Sequence, residues 1–267
     1  MEGIRVNKYL SESGVCSRRE ADRLIAEGAV TIEGQVAVLG DQVLPGQRVC
    51  CRGREVRPEE ERVLIALNKP KGIVCTAEKR EKDNVVDFLH YPKRIYPIGR
   101  LDKNSEGLLL LTNNGDIVNR MMRAGNRHEK EYIVTVNKAV TPEFIRGMAS
   151  GVYIEELSVT TRECVVEKVA ERKLRIVLTQ GMNRQIRRMC EAFGYRVVRL
   201  VRVRIMNIRL GNLAVGEYRE IAGGEYEALM EGLAGSSNAP VREKNKESVN
   251  SREHSQEGRY GRKTYAH

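Results

Sequence analysis

The 267-residue chain carries 46 Lys and Arg against 36 Asp and Glu, a formal charge of +10. That length suits about two domains with a sizeable buried core, and the basic balance favours a polyanionic partner. No apolar run nears the roughly 20 residues of a membrane helix, and the first residues lack a signal peptide's apolar core, so a cytoplasmic protein with no membrane partner is expected.

The excess charge is uneven: residues 1–60 net −1, residues 61–235 net +8 and residues 236–267 net +3. The six cysteines form no C-x-x-C pair, and two of the four histidines, His254 and His267, lie in the tail. Neither a zinc site nor a disulfide framework is expected, and the thiols read as reduced and structural. His90 and His128 lack the surroundings of a hydrolase triad.

Along the chain, Ile4, Val6, Leu10 and Val15 predict an amphipathic first helix that Gly14 terminates. Ser17 opens a second helix, with Glu20 at capping-box spacing, Ala21, Leu24 and Ile25 on its buried face, and Gly28 at its end. Ala29–Ile32 and Gln35–Val38 predict a hairpin across Glu33-Gly34, and a strand follows over Gln47–Cys51. Arg5, Lys8, Arg18, Arg19 and Arg23 fall on the two helices, where cations can neutralise phosphates. Residues 57–62 read as a polar hinge.

Beyond the hinge, Val63–Leu67 predicts a buried strand, Asn68-Lys69-Pro70-Lys71-Gly72 a sharp turn, Ile73–Thr76 a strand and Asn84–Leu89 a short helix. Gly99–Gly115 places Asp102 between Arg100 and Lys103, just before four leucines that read as a buried strand. A helix over Asp116–Arg123 follows, then a strand over Lys130–Val136 with Tyr132, Val134 and Val136 on one face. Thr141-Pro142 starts a helix reaching Ser150. Strands are predicted over Thr160–Val169 and Leu174–Thr179, and a helix over Asn183–Phe193 that Gly194 stops. Strands over Val197–Val203 and Ile205–Leu210 and a helix over Tyr226–Leu233 complete an α+β domain on a mixed or largely antiparallel sheet. Between Arg184 and Arg209 Glu191 is the only acid among eight arginines, which suits bidentate phosphate contact. Arg184 and Arg188 share a helix face, Arg187 points elsewhere, and Arg202 and Arg204 point to one side of their strand. The tail 235–267 is polar, basic and expected to be disordered.

The order of basic helix, Cys16-Ser17-Arg18-Arg19-Glu20-Ala21, second helix and Val-x-Ile-x-Gly hairpin resembles the S4 RNA-binding domain. The set Asn68–Gly72, Gly99-Arg100-Leu101-Asp102 with its leucines, Lys130-Glu131-Tyr132 and Gly181–Met189 resembles the RNA pseudouridine synthases of the RsuA/RluB/RluE/RluF group. The resemblance spans residues 4 to 233 and is strongest to the RluF type, although Ser105 stands where Thr is common and Asn114 where Asp is common. It implies an S4-type (αL-like) domain over residues 1–60, a catalytic domain over 61–234, and isomerisation of a uridine in 23S ribosomal RNA by a monomer with no cofactor and no metal. It also implies Asp102 as nucleophile, Arg187 as the cation that keeps it ionised, and Tyr132 stacked on the target uracil with its hydroxyl available for proton transfer at C5. Attack at C1′, attack at C6 and action at C2′ all stay open. Ser17 and the basic residues Arg5, Lys8, Arg18, Arg19, Arg23, Arg100, Arg184, Arg188, Arg202 and Arg204 make up the expected RNA track. The alternatives are the same reaction on transfer RNA or 16S ribosomal RNA, and a noncatalytic RNA-binding assembly factor.

Overall fold

Residues 6–56 form an apolar core of their own. The computed structural model describes residues 3–78 and 80–236, and the tail beyond Ser236 lies outside the described residues. In order come β1 (Ile4–Arg5), α1 (Val6–Glu12), α2 (Arg18–Ala26), β2 (Val30–Ile32), β3 (Gln35–Val36), β4 (Gln42–Val43), β5 (Val49–Cys51) and β6 (Arg54–Val56). Ser17 Oγ accepts the Glu20 backbone N–H at 3.2 Å and so caps α2, while the Glu20 carboxylate turns to Arg23. Val6, Leu10, Ala21, Leu24 and Ile25 pack on Val30, Val43, Val49 and Cys51, beneath a sheet of order β3-β2-β5-β6. The expected first helix is shorter than its apolar pattern. Ile4 and Arg5 pair with Val43 and Gln42 as a strand, leaving Ile4 37% and Val15 44% exposed.

The larger unit is built on β7 (Leu64–Lys69), α3 (Val85–Leu89), β8 (Tyr96–Ile98), β9 (Glu106–Thr112), α4 (Gly115–Met122), β10 (Lys130–Val136), α5 (Pro142–Ala149), β11 (Tyr153–Ile154) and β12 (Val159–Thr160). It continues through β13 (Val165–Ala170), β14 (Lys173–Leu178), α6 (Gln185–Ala192), β15 (Val197–Ile205), β16 (Ile208–Arg209), β17 (Tyr218–Glu220) and α7 (Gly223–Ala234). The sheet runs β13-β14-β10-β15-β9-β7-β17, with β16 on β15 and β8 on β9. The β15–β9 pair is parallel, and the other pairs are antiparallel.

The leucine run is apolar throughout because β9 is covered on both faces. Leu109 and Leu111 enter a core with Tyr132, Val134, Phe144, Ile176, Ile186 and Met189. Leu108 and Leu110 enter the opposite core with Ile117, Met121, Ile205, Leu229 and Leu233. All four leucines are fully buried, each worth roughly 1.5–3 kcal/mol of transfer free energy. Gly107 is required where β9 meets β15, since a Cβ there would lie 2.3 Å from the Arg202 carbonyl oxygen.

Four expected strands differ. Ile73–Thr76 reduces to a single bridge between Val74 and Asn84, because the Pro70–Gly72 turn carries the segment off the sheet. The expected strand over Thr160–Val169 is interrupted between β12 and β13, where Thr161 Oγ1 accepts the Val152 N–H. The two strands expected over 197–210 are one long β15 and a short return, joined by a tight turn with Met206 at φ +51°.

The two units touch through α1. Lys8 Nζ donates to Asp116 Oδ1 at 3.0 Å and Arg94 reaches the Ser11 carbonyl at 3.4 Å, while the linker's Glu59 N–H donates to the Glu12 carbonyl at 3.0 Å. Among the described residues no helix is long and apolar enough to cross a membrane.

Candidate active site

Asp102 sits in the connection from β8 to β9, and that connection is fastened almost peptide by peptide. The Leu101 N–H donates to Cys75 Sγ at 3.3 Å, and the Asp102 carbonyl accepts the Ser105 N–H at 3.0 Å. The Lys103 carbonyl accepts the Gly72 N–H at 2.8 Å. Lys69, fully buried, sends its ammonium to the carbonyls of Ser105 at 2.8 Å, Pro70 at 2.9 Å and Lys103 at 3.5 Å. Burial lowers the Lys69 pKa from its ordinary value. Gly99, at φ +75°, lets the end of α4 close over the loop; a Cβ there would meet Met122 Sδ at 2.7 Å.

Arg187 comes from the buried face of α6. The turn before α6 is closed by Gln185 Oε1, which accepts the Met182 N–H at 3.1 Å, and by Arg184 in the left-handed region at φ +52°. Ile186, Met189 and Cys190 then anchor the helix on the sheet. The Arg187 guanidinium donates to the carbonyls of Asn104 at 3.3 Å and Val197 at 3.4 Å and to Ser105 Oγ at 3.3 Å. Its Nε faces Asp102 Oδ2 at 3.7 Å and has no hydrogen-bond partner. One guanidinium therefore both braces the loop and faces its carboxylate.

The carboxylate opens into a cleft. Tyr132, 9% exposed, forms one wall from β10, with Leu178 and Leu200 beside it on neighbouring strands. Arg100, Gln180, Met182 and Arg184 form the rim and far side. A cleft walled by Tyr132, Leu178 and Leu200, with one carboxylate and flanking cations, suits a planar ring carrying a phosphodiester. No group of three or more His, Cys, Asp or Glu that could hold a metal ion occurs among the described residues.

Residues 63–192 match the RNA pseudouridylate synthase family model, and residues 4–49 match the S4 domain. The chain is 57% identical to the dual-specificity RNA pseudouridine synthase RluF of Salmonella typhi, over 87% of this chain and 81% of that protein. It is 34% identical to the ribosomal large subunit pseudouridine synthase B of Bacillus subtilis, over 84% of this chain and 95% of that protein. The chain belongs to the RNA pseudouridine synthases. A crystal structure of a pseudouridylate synthase superposes on this synthase with a TM-score of 0.63 at 28% identity, covering 85% of this chain and 99% of the other.

The structure of the synthase brings Asp102, Arg187, Tyr132, Arg100 and Arg184 to one cleft. Arg5, Arg18 and Arg19 are exposed on the small domain. Arg23 is exposed too, but pairs with Glu20 at 2.5 Å and Glu27 at 3.7 Å. Five expected RNA contacts have other partners. Arg202 is 2% exposed and donates its Nε–H to the Leu108 carbonyl at 2.7 Å, bridging the diverging β15 and β9. Arg204 is held by Glu131 at 2.8 Å and Glu129 at 2.9 Å. Arg188 pairs with Glu156 at 3.2 Å. Lys8 spends its charge on Asp116, and the Ser17 hydroxyl is occupied as a helix cap.

Two charges that flank Tyr132 on β10 are shifted by their surroundings. Hydrogen bonds from Arg175 and then Arg204 hold the Glu131 carboxyl down at about 2. Burial, aided by the nearby Arg202 charge, brings the Lys130 ammonium down to about 8. Sequence reasoning missed Gln180 on the cleft wall and Cys75 beneath the loop. Gln180 adjoins a recognised motif, which is the signal that points to it. Cys75 has no comparable signal, since its partner lies 26 residues away.

Proposed function

We propose that this synthase converts a uridine of 23S ribosomal RNA to pseudouridine, with Asp102 as the nucleophile on a base flipped out of its helix. The observation that carries the reading is the convergence of Asp102, Arg187 and Tyr132 on one slot. The reaction breaks the bond from C1′ to N1, turns the uracil and joins C1′ to C5. N1 gains a proton, C5 loses one, and no electrons are exchanged overall. Attack by the carboxylate at C1′ or C6, and proton removal at C2′, each need an oriented oxygen beside the nucleoside. Fastening the 99–105 loop supplies that orientation before substrate arrives. The Tyr132 ring holds the uracil by stacking, and its hydroxyl takes part in the proton transfer at C5.

A uridine within a helix is out of reach of Asp102, so it is extruded into the cleft while Arg100 and Arg184 hold its phosphates. The exposed Arg5, Arg18 and Arg19 bind the surrounding folded RNA by shape and phosphate contact. The enzyme acts as a cytoplasmic monomer. The relatives named as dual-specificity enzymes favour a second RNA, with transfer RNA as the candidate.

Mapping pseudouridines across ribosomal and transfer RNA from cells with and without the gene tests this reading. Loss at one 23S position, with or without one transfer RNA position, is the expected result. Loss at no position would leave an RNA-binding assembly factor as the better description.

A further inference from the structure

Cys75 is 4% exposed, and no step of the uridine chemistry uses its thiol. It lies between two fixed pieces of backbone. On one side the Lys69–Gly72 turn is tied to the Asp102 loop through the Gly72 N–H. On the other, Val74 donates to the Asp83 carbonyl at 2.8 Å and accepts the Val85 N–H at 2.9 Å. The thiol thus has little freedom, and its sulfur accepts the Leu101 N–H at 3.3 Å, well inside the core. Leu101 immediately precedes Asp102, and Ser105 takes up the Asp102 carbonyl.

We propose that Cys75 is a positioning residue for catalysis, whose sulfur fixes the peptide entering Asp102 and so sets the direction of the carboxylate. The inference rests on Asp102 being the nucleophile. Strand β8 ends at Ile98, Gly99 takes a positive φ, and Arg100 is exposed at the rim. The sulfur contact at Leu101 is the hold that lies between that open stretch and the carboxylate. Without an acceptor there the buried amide loses its partner, and the loop shifts to find another. Displacements on the order of 1 Å at a reacting group cost about a hundredfold in rate.

The test uses the full chain with a stem-loop RNA carrying the target uridine, comparing wild type with C75S, C75A and C75V. Valine keeps the apolarity of the thiol at the cost of one extra methyl group and accepts no hydrogen bond, alanine removes the acceptor without adding bulk, and serine keeps an acceptor. For C75A and C75V, kcat is expected to fall about 10- to 100-fold while KM stays within about twofold. C75S should recover most of the lost kcat. Amide hydrogen exchange supplies a readout independent of activity: Leu101 stays protected in wild type and C75S and exchanges faster in C75V. If C75A does not fold, the C75V and C75S pair still decides. Wild-type kcat in C75V with Leu101 still protected would overturn the proposal, as would C75S impaired as deeply as C75V. Assaying D102N alongside separates the two readings. An inactive D102N with a fully active C75V removes only the role of Cys75, whereas an active D102N removes Asp102 as nucleophile and leaves the Leu101 exchange to decide the anchor.

Discussion

Arg187 faces Asp102 from 3.7 Å, and the same guanidinium grips the loop carrying that carboxylate through the Asn104 carbonyl and the Ser105 hydroxyl. Orientation and charge are thereby supplied by one side chain. Lysine cannot reproduce this, since a point ammonium lacks the planar set of donors. R187K is expected to lower kcat at least about tenfold with a smaller change in KM, and R187A to lower it further. Single-turnover rates at saturating enzyme check this.

Tyr132 combines a flat face on the cleft with a hydroxyl. Y132F keeps the stack, so RNA affinity should stay within about twofold while kcat falls. If the hydroxyl serves at C5, deuterium at that carbon of the target uridine slows Y132F more than wild type. Equal isotope effects in both would remove the hydroxyl from that step. Y132A is expected to weaken binding and catalysis together.

Arg18 and Arg19 are exposed on α2. Replacing both with alanine should weaken RNA binding and reduce the slope of log affinity against log salt by about 2. Titrations at several salt concentrations measure it. An unchanged slope would mean that the small domain does not meet phosphates through this helix.

How far the sequence reveals these features depends on the range of the interaction. The Ser17 cap, the leucine strand and the face bearing Tyr132 follow from spacings of a few residues, and all three were legible. The arginines of β15 show why the remainder was not. A period-two pattern says that Arg202 and Arg204 share a side, but not that β9 and β10 offer acceptors there. The acids that neutralise Arg204 sit on or beside β10, 73 and 75 residues away. The run thus reads as a bare cationic surface when much of it is internal bracing. Cys75 was silent for the same reason. Asp102 stands out in the sequence as a candidate only because its neighbours form a family motif; a lone loop aspartate more often caps a turn.

Glu131 gives a pH prediction. Its carboxyl lies at about 2 in the fold against 4.5 ordinarily, so its charged form is favoured by folding. That contribution is fully present above pH 4.5 and is lost as pH falls toward about 2. By linkage it amounts to at most about 3 kcal/mol. E131Q should be less stable than wild type at pH 7, with the difference shrinking steadily below pH 4.5. Urea unfolding across that range measures it, and a pH-independent difference would show that the pairing does not act through the carboxylate charge.

The role of Asp102 is tested most directly by D102N, in an assay that follows tritium release from RNA labelled at C5 of uridine, with RNA affinity measured in parallel. Asparagine keeps the size and polarity of the side chain but removes the nucleophilic carboxylate. Tritium release should fall to the uncatalysed background while affinity stays within a few-fold of wild type. Release at a rate comparable to wild type would contradict the assignment of Asp102 as the nucleophile.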